Sequence, residues 1–182
     1  MPIFAWIFLS SVVAFGATFQ SQQQSPHFKF DYNEGNWELM PQRSEKDGAQ
    51  QIDKNMAQQT LVTIQKKQPD EKYHARFHVV TDSLDKFKEP KTPPLVQYQK
   101  HTVDFLKSQR FQILSVEPIT LSKVKEMAVE IIANQRDFGL KFKEVIFIKD
   151  NKAYILTATT RTEKFDEYKS DIKMIFDSFE FY

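Results

Sequence analysis

The last third of the chain constrains the fold most, because three alternating segments are followed there by one amphipathic segment. Apolar and polar residues alternate over 126–135, 140–149 and 153–160, which is the period of a half-buried strand. Asp137-Phe138-Gly139 and Asp150-Asn151 supply the turns between them. Apolar residues then recur at helical spacing over 165–179. This order predicts an antiparallel three-strand meander and a closing helix that packs on the sheet.

The preceding part of the chain adds strands and one further helix. The Thr92 side chain is a candidate N-cap, and the prolines after it suit the first turn of a helix that ends near Gln109. Short connections favour antiparallel pairing. We therefore predict an α/β (α+β) class, an α/β/α sandwich with a central antiparallel sheet of about six or seven strands, as one domain over 27–182. The additional strands are predicted over 28–32, 37–39, 60–66, 72–80 and 111–116.

The N-terminal segment predicts export. Residues 3–17 are apolar except for Ser10 and Ser11, and as a helix they would span about 22 Å, short of a hydrocarbon core of about 30 Å. We predict a signal peptide over 1–16, cleaved after Gly16 or Ala17, and a periplasmic or secreted protein with no stable membrane span afterwards. No Lys or Arg precedes the apolar run, so an uncleaved anchor remains the alternative. Residues 17–26 are Gln-rich and predict a flexible linker.

Charge and cysteine content exclude several kinds of partner and site. The 25 basic and 24 acidic residues give a net charge of +1, which provides no basic surface for nucleic acid. Without cysteine, the chain has no disulfide, no thiolate metal site and no cysteine nucleophile. We expect no nucleic-acid partner.

No motif in the chain predicts catalysis or a cofactor. The four histidines lack the HExxH spacing, and neither a GxSxG elbow nor a phosphate-binding glycine loop is present. His74 and His78 are the best metal candidates, but four residues along the predicted strand separate them by about 13 Å. We therefore predict no catalytic, cofactor-binding or metal-binding residues, and two solvated histidines.

A polar loop between the strand predicted over 72–80 and the first helix is the candidate contact site. The residues proposed to bind a partner are Asp82, Asp85, Lys86, Lys88 and Lys91. Binding residues lie disproportionately on loops that a rigid sheet holds in place. The prolines of this loop also reduce the conformational entropy that it loses on binding. A plain connector is the alternative.

Four segments together resemble the PsbP-like proteins. These are Phe28-Lys29-Phe30 to Trp37, the helix around Tyr98 to Leu106, Lys152-Ala153-Tyr154-Ile155-Leu156-Thr157-Ala158, and Met174-Ile175-Phe176-Asp177-Ser178-Phe179. The resemblance covers about 28–182 and implies the sandwich predicted above. This chain differs from the lipoproteins of that family, because it lacks their lipidated cysteine.

The members of that family include an extrinsic photosystem II subunit, a nuclear-transport factor that binds a small GTPase, and bacterial envelope lipoproteins. The resemblance therefore implies an exported, non-enzymatic accessory or binding protein of the cell envelope. Its expected partner is another envelope protein or a small apolar ligand. A hydrolase or metal-dependent enzyme, and an envelope assembly or chaperone-like factor, remain the alternatives, because fold alone does not carry function across such a range.

Overall fold

The protein is described by a computed structural model over residues 16–21, 27–41, 58–85, 87, 89 and 91–182. The predicted signal peptide therefore lies outside the described residues, except for Gly16. The elements are, in chain order, β1 Gly16–Gln20, β2 Phe28–Asn33, β3 Trp37–Leu39, β4 Gln59–Lys66, β5 Arg76–Ser83, α1 Pro94–Ser108, β6 Phe111–Thr120, β7 Met127–Gln135, β8 Leu140–Lys149, β9 Lys152–Arg161, α2 Lys169–Ser178 and β10 Glu180–Phe181.

Within the described residues, seven strands form one antiparallel sheet in the order β3-β4-β5-β9-β8-β7-β6. The meander β7-β8-β9 is confirmed. Its second turn is tight because Asp150 and Asn151 both adopt positive φ angles, of 49° and 58°. The first turn is a 3₁₀ segment that ends at Gly139, with a φ of 62°. The predicted sheet size and pairing direction are therefore confirmed.

A second, three-stranded sheet of the order β1-β2-β10 packs on one face of the first, and the sequence did not predict it. The linker predicted over 17–26 is wrong for its first residues, because Gly16–Gln20 pairs with β2. The physical reason is Phe19, whose ring stacks on Phe30 at 5.1 Å and packs against the core. Burial of this ring stabilises a strand that its polar neighbours alone would not form.

One core lies between the seven-stranded sheet and a layer made of α2 and the small sheet. Phe77 on β5 contacts Phe30 of β2 and Phe176 of α2, with ring centroids 5.2 and 5.4 Å apart. The apolar line predicted for the last helix is confirmed as buried, at Phe165, Tyr168, Ile172, Ile175, Phe176 and Phe179. Helix α2 and the small sheet thus form one outer layer.

A second core lies on the opposite face of the large sheet, under α1. Tyr98 and Leu106 of α1 pack there with Ile131 of β7 and Ile146 of β8. We call this side of the seven-stranded sheet the α1 face. The two cores complete the predicted α/β/α sandwich.

Two local boundaries differ from the prediction. Pro93, rather than Thr92, is the N-cap of α1, and no side chain caps the helix, since proline has no polar side chain to accept a hydrogen bond. Strand β5 begins at Arg76 instead of at 72, because the chain first makes a bridge between Asp70 and Tyr73. His74 consequently lies before the strand.

Candidate functional site

A row of polar side chains crosses the middle of the α1 face. The register pairs Thr63 of β4 with His78 of β5, His78 with Thr157 of β9, and Thr157 with Glu144 of β8. Directly opposed residues point to the same side of a sheet, so these four form one line, which we call the polar row. Ile146 and Ile155, two positions further along β8 and β9, belong to the core under α1. The polar row therefore lies on the α1 face.

Glu144 is the acid of the polar row. Its Oε2 oxygen is buried, and no hydrogen-bond partner for it exists among the described residues. Thr157 Oγ1 donates to the other oxygen over 3.5 Å, at the limit of a hydrogen bond. Burial raises the pKa of Glu144, and the Thr157 hydrogen bond opposes this only in part, so that the pKa rises from 4.5 to about 7.

His78 is perturbed in the opposite direction. Burial, and after it the nearby positive charge of Arg76, lower the pKa of His78 from 6.5 to about 4. The imidazole is therefore neutral at neutral pH. The sequence predicted a solvated histidine here, but the side chain is partly buried on the α1 face of the sheet.

A buried tyrosine and a buried aspartate join α1 to the end of β5. The Tyr98 hydroxyl donates to Asp82 Oδ2 over 3.0 Å and accepts from Gln58 Nε2 over 3.4 Å. Asp82 is only 4% exposed, and its Oδ1 oxygen has no partner among the described residues. Burial, then the charge and hydrogen bond of Asp82, raise the pKa of Tyr98 far above its usual value; the charge of Glu144 also contributes. The tyrosine therefore stays protonated and acts as a fixed donor.

The loop that follows β5 is held against α1. Gln97 Nε2 donates to the carbonyl oxygens of Glu89 and Thr92, over 3.0 and 2.6 Å. The ring of Phe87 packs on Tyr98 with centroids 5.1 Å apart. The loop is thus anchored through Gln97 and Phe87 beside the Tyr98–Asp82 pair.

The residues predicted to contact a partner do not share one environment. Asp82 was predicted to lie in a polar loop, and that position is wrong: it lies within β5 and is buried under Tyr98. Asp85 and Lys91 are exposed, and Asp85 accepts from the Ser83 hydroxyl over 2.7 Å. Lys86 and Lys88 lie outside the described residues. We refer to Lys86, Lys88 and Lys91 together as the loop lysines.

His74 and His78 have separate surroundings. His74 Nδ1 lies 2.7 Å from the backbone oxygen of Lys66, and a carbonyl can only accept, so this nitrogen carries the donated proton. Among the described residues, no three or more His, Cys, Asp or Glu side chains are grouped so that they could hold a metal ion.

An open concave surface lies at the β3 edge of the sheet. It is an open groove with a volume of about 510 Å³. Its lining residues are Tyr32, Glu34, Gly35, Trp37, Glu38, Leu39 and Lys67. Glu38 in this groove accepts a hydrogen bond from Gln65 Nε2 over 2.9 Å.

The sequence reasoning missed Glu144 and Tyr98. A usable signal was present for Glu144, because it lies on the same face of its strand as Phe142, Ile146 and Ile148. An acid among apolar residues on one strand face is buried or paired. Tyr98 gave no comparable signal, because an aromatic residue on the apolar side of a helix predicts core packing.

The α1 face can accept hydrogen bonds and protons but has little to donate. Asp82 and Glu144 each present a buried oxygen, His78 is neutral, and the Tyr98 proton is already used. Such an arrangement suits recognition of a donor-bearing group. Among the described elements, neither α1 nor α2 is both long and apolar enough to cross a bilayer.

The fold of this chain is similar to that of proteins of known structure. No protein-family model matches the sequence, and no curated protein matches it significantly. The cyanobacterial PsbP of Synechocystis is similar in structure, with a TM-score of 0.61 at 10% identity over 95% of this chain and 96% of that one. LpqN of Mycobacterium tuberculosis, a protein involved in cell envelope biogenesis, gives a TM-score of 0.51 at 11% identity over 91% of both chains. Because both alignments span more than nine-tenths of this chain, its architecture is the PsbP-like fold.

Proposed function

We propose that the protein is exported and acts in the cell envelope as an accessory or binding protein rather than as an enzyme. Two features support export to the envelope. The apolar segment over 3–17 has the length of a signal peptide, and one structural neighbour, LpqN, is involved in cell envelope biogenesis.

The observation that carries a binding role is the pair of unpartnered carboxylate oxygens on the α1 face. Asp82 Oδ1 and Glu144 Oε2 are both buried without a hydrogen-bond partner among the described residues. A buried polar group left without a partner costs about 1–3 kcal/mol. Folded proteins satisfy almost all such groups, and the exceptions are often sites of function. A partner that supplies donors would recover this cost on binding.

The loop beside this face extends the proposed surface. Asp85 and Lys91 are exposed, and Phe87 anchors the same loop on Tyr98. We include Asp85 and the loop lysines as rim contacts for a protein partner of the envelope. Rim charges mainly steer association and change its rate, so their individual contributions to affinity are small.

A site-specific crosslinking experiment tests the proposal in the native host. A photo-reactive amino acid replaces the exposed His101 on α1, and the matched control carries it at the exposed Lys173 on α2. We expect the protein in the envelope or secreted fraction, and an adduct from position 101 that untagged protein competes away. Retention in the cytosol, or equal adducts from both positions, would contradict the proposal.

A hydrolase is the second candidate, and Glu144 is the observation that favours it. A carboxyl group whose pKa lies near 7 can serve as a general acid or base at neutral pH. Screening of the purified protein against ester, amide and glycoside substrates tests this function. Turnover that Glu144→Gln abolishes, while folding is retained, would favour the enzyme over the binding protein.

A further inference from the structure

The seven-stranded sheet ends, within the described residues, in two edge strands that differ in their protection. The ladder of β6 has a bulge between Ile113 and Ser115, and Pro118 within this strand has no backbone N–H to donate. A bulge and a proline both hinder the addition of a further strand to an edge. The β3 strand, Trp37–Leu39, contains no proline and pairs with β4 in regular register. Of these two edges, β3 is therefore the one that is open to a further strand.

The backbone bonds of β3 show which of its groups point outward. The N–H of Met40 and the C=O of Asn36 both bond to β4, each over 2.9 Å. Bonds to one neighbour recur at every second residue of an antiparallel strand, so Glu38 faces β4 as well. The N–H and C=O groups of Trp37 and Leu39 consequently point away from β4, and none of the described residues bonds to them. These groups can pair with an added strand.

The side chain of Trp37 holds this edge in place. Its ring is only 1% exposed, and its indole nitrogen donates to Asp171 Oδ2 on α2 over 2.8 Å. The ring of Tyr168 packs against it edge-on, with centroids 6.4 Å apart. The edge is therefore fixed before a partner arrives, which lowers the ordering cost of binding.

The groove along β3 selects the side chains of an added strand. Leu39 lies on the same side of β3 as Trp37, is 46% exposed, and lines the groove of about 510 Å³. Glu38 is exposed on the opposite side of the strand, and Glu34 adds a second acid to a lining whose one base is Lys67. An added strand with a basic residue opposite Glu38 and an apolar residue on each side of it would match both sides of the edge.

A second copy of this chain fits the β3 edge poorly. If two β3 strands paired about a twofold axis, Trp37 of one copy would face Leu39 of the other, and Glu38 would face Glu38. Like charges that are directly opposed destabilise a strand pair. The charges therefore favour a basic segment of a different protein over self-association.

We infer that the β3 edge binds an extended, basic segment of a partner protein as an additional strand. Bonds between the backbone of the segment and that of Trp37 and Leu39 supply affinity. A lysine or arginine opposite Glu38 supplies selectivity. This edge is separate from the surface around Tyr98, so either contact can fail without the other.

NMR titration with the capped peptide Thr-Val-Lys-Val-Thr tests the inference. The same peptide with glutamate in place of lysine is one control, and the lysine peptide with N-methylated valines is the other. We expect the lysine peptide to bind about tenfold more tightly than the glutamate peptide, because only its charge is opposite to that of Glu38. The N-methylated peptide should not bind, because it cannot donate to the edge.

Charge reversal assigns the selectivity to one residue. Glu38→Lys should reverse the preference between the two charged peptides. Glu117→Lys, which changes an exposed acid on the β6 edge, is the matched control and should leave the preference unchanged. Absence of binding by the lysine peptide, or a preference that Glu38→Lys leaves unchanged, would overturn the inference.

Amide hydrogen exchange shows whether the edge is free. In the protein alone, the amides of Trp37 and Leu39 should exchange fast and that of Glu38 slowly, and the lysine peptide should slow the first two. Slow exchange of Trp37 and Leu39 in the free monomer would mean that other residues of this chain cover the edge. Protection that grows with protein concentration would mean that a second copy covers it. Either result would contradict a site for a partner segment.

Discussion

Glu144 and His78 should make the stability of the protein depend on pH in opposite directions. Replacement of either residue should reveal the pH dependence that the other one causes. The pKa of Glu144 is raised from 4.5 to about 7 in the folded state. Between these values the folded state binds more protons than the unfolded state, so stability falls as pH rises. The pKa of His78 is lowered from 6.5 to about 4. Between those values the unfolded state binds more protons, so stability rises with pH.

The two effects are similar in size. Each pKa moves by about 2.5, and at about 1.4 kcal/mol for each pKa unit this amounts to about 3 kcal/mol. The windows overlap from about pH 4.5 to 6.5, and there the contributions cancel in the wild type. Glu144→Gln should gain about 3 kcal/mol of stability across this overlap as pH rises, relative to the wild type. His78→Gln should lose a similar amount.

Urea unfolding at a series of pH values measures these slopes. The fluorescence of Trp37 is a suitable signal, because this side chain is buried and its indole nitrogen donates to Asp171 over 2.8 Å. Other carboxylates titrate in all three proteins, so their contribution cancels when each variant is compared with the wild type. Variant curves parallel to that of the wild type would refute the burial of both groups.

Three further predictions concern the two cores and the loop. Phe176→Ala should destabilise the protein by about 3–5 kcal/mol, because the ring is buried against Phe77, and a loss below about 1 kcal/mol on urea unfolding would mean that α2 does not dock as described. Tyr98→Phe should cost about 1–3 kcal/mol by leaving both oxygens of Asp82 unpartnered, whereas an unchanged melting temperature would contradict that hydrogen bond. Replacement of all three loop lysines by Ser should leave the melting temperature unchanged and reduce the adduct from position 101, and an undiminished adduct would remove them from the contact surface.

Periodicity predicted the parts of the fold in which local pattern and burial agree. The strands over 126–160 alternate strictly, and the last helix places large apolar residues at helical spacing, so both follow from the residues alone. The small sheet was not predictable in this way. Strand β1 depends on the contact of Phe19 with Phe30, and β10 has only two residues, which pair with β2 from the other end of the chain. Such pairings depend on tertiary structure and leave no local pattern.

The candidate site was less predictable than the fold, for a related reason. Asp82 looked like a loop residue because charged residues and prolines follow it, yet the extension of β5 to Ser83 buries it beneath Tyr98. His78 looked solvated because it alternates with Phe77 and Val79, yet its own face of the sheet is also covered. Alternation identifies the two sides of a strand, but it does not show that both sides are buried.

The pKa of Glu144 tests the account most directly, because the binding face is argued from the burial of this carboxyl group. Carbon-13 NMR of the glutamate side-chain carboxyls, with Glu144→Gln to assign the signal, gives this value in the folded protein. We expect a midpoint of about pH 7 for Glu144. A midpoint near 4.5, the ordinary value of a glutamate, would show that water solvates the group and would contradict a buried, unpartnered acceptor on the α1 face.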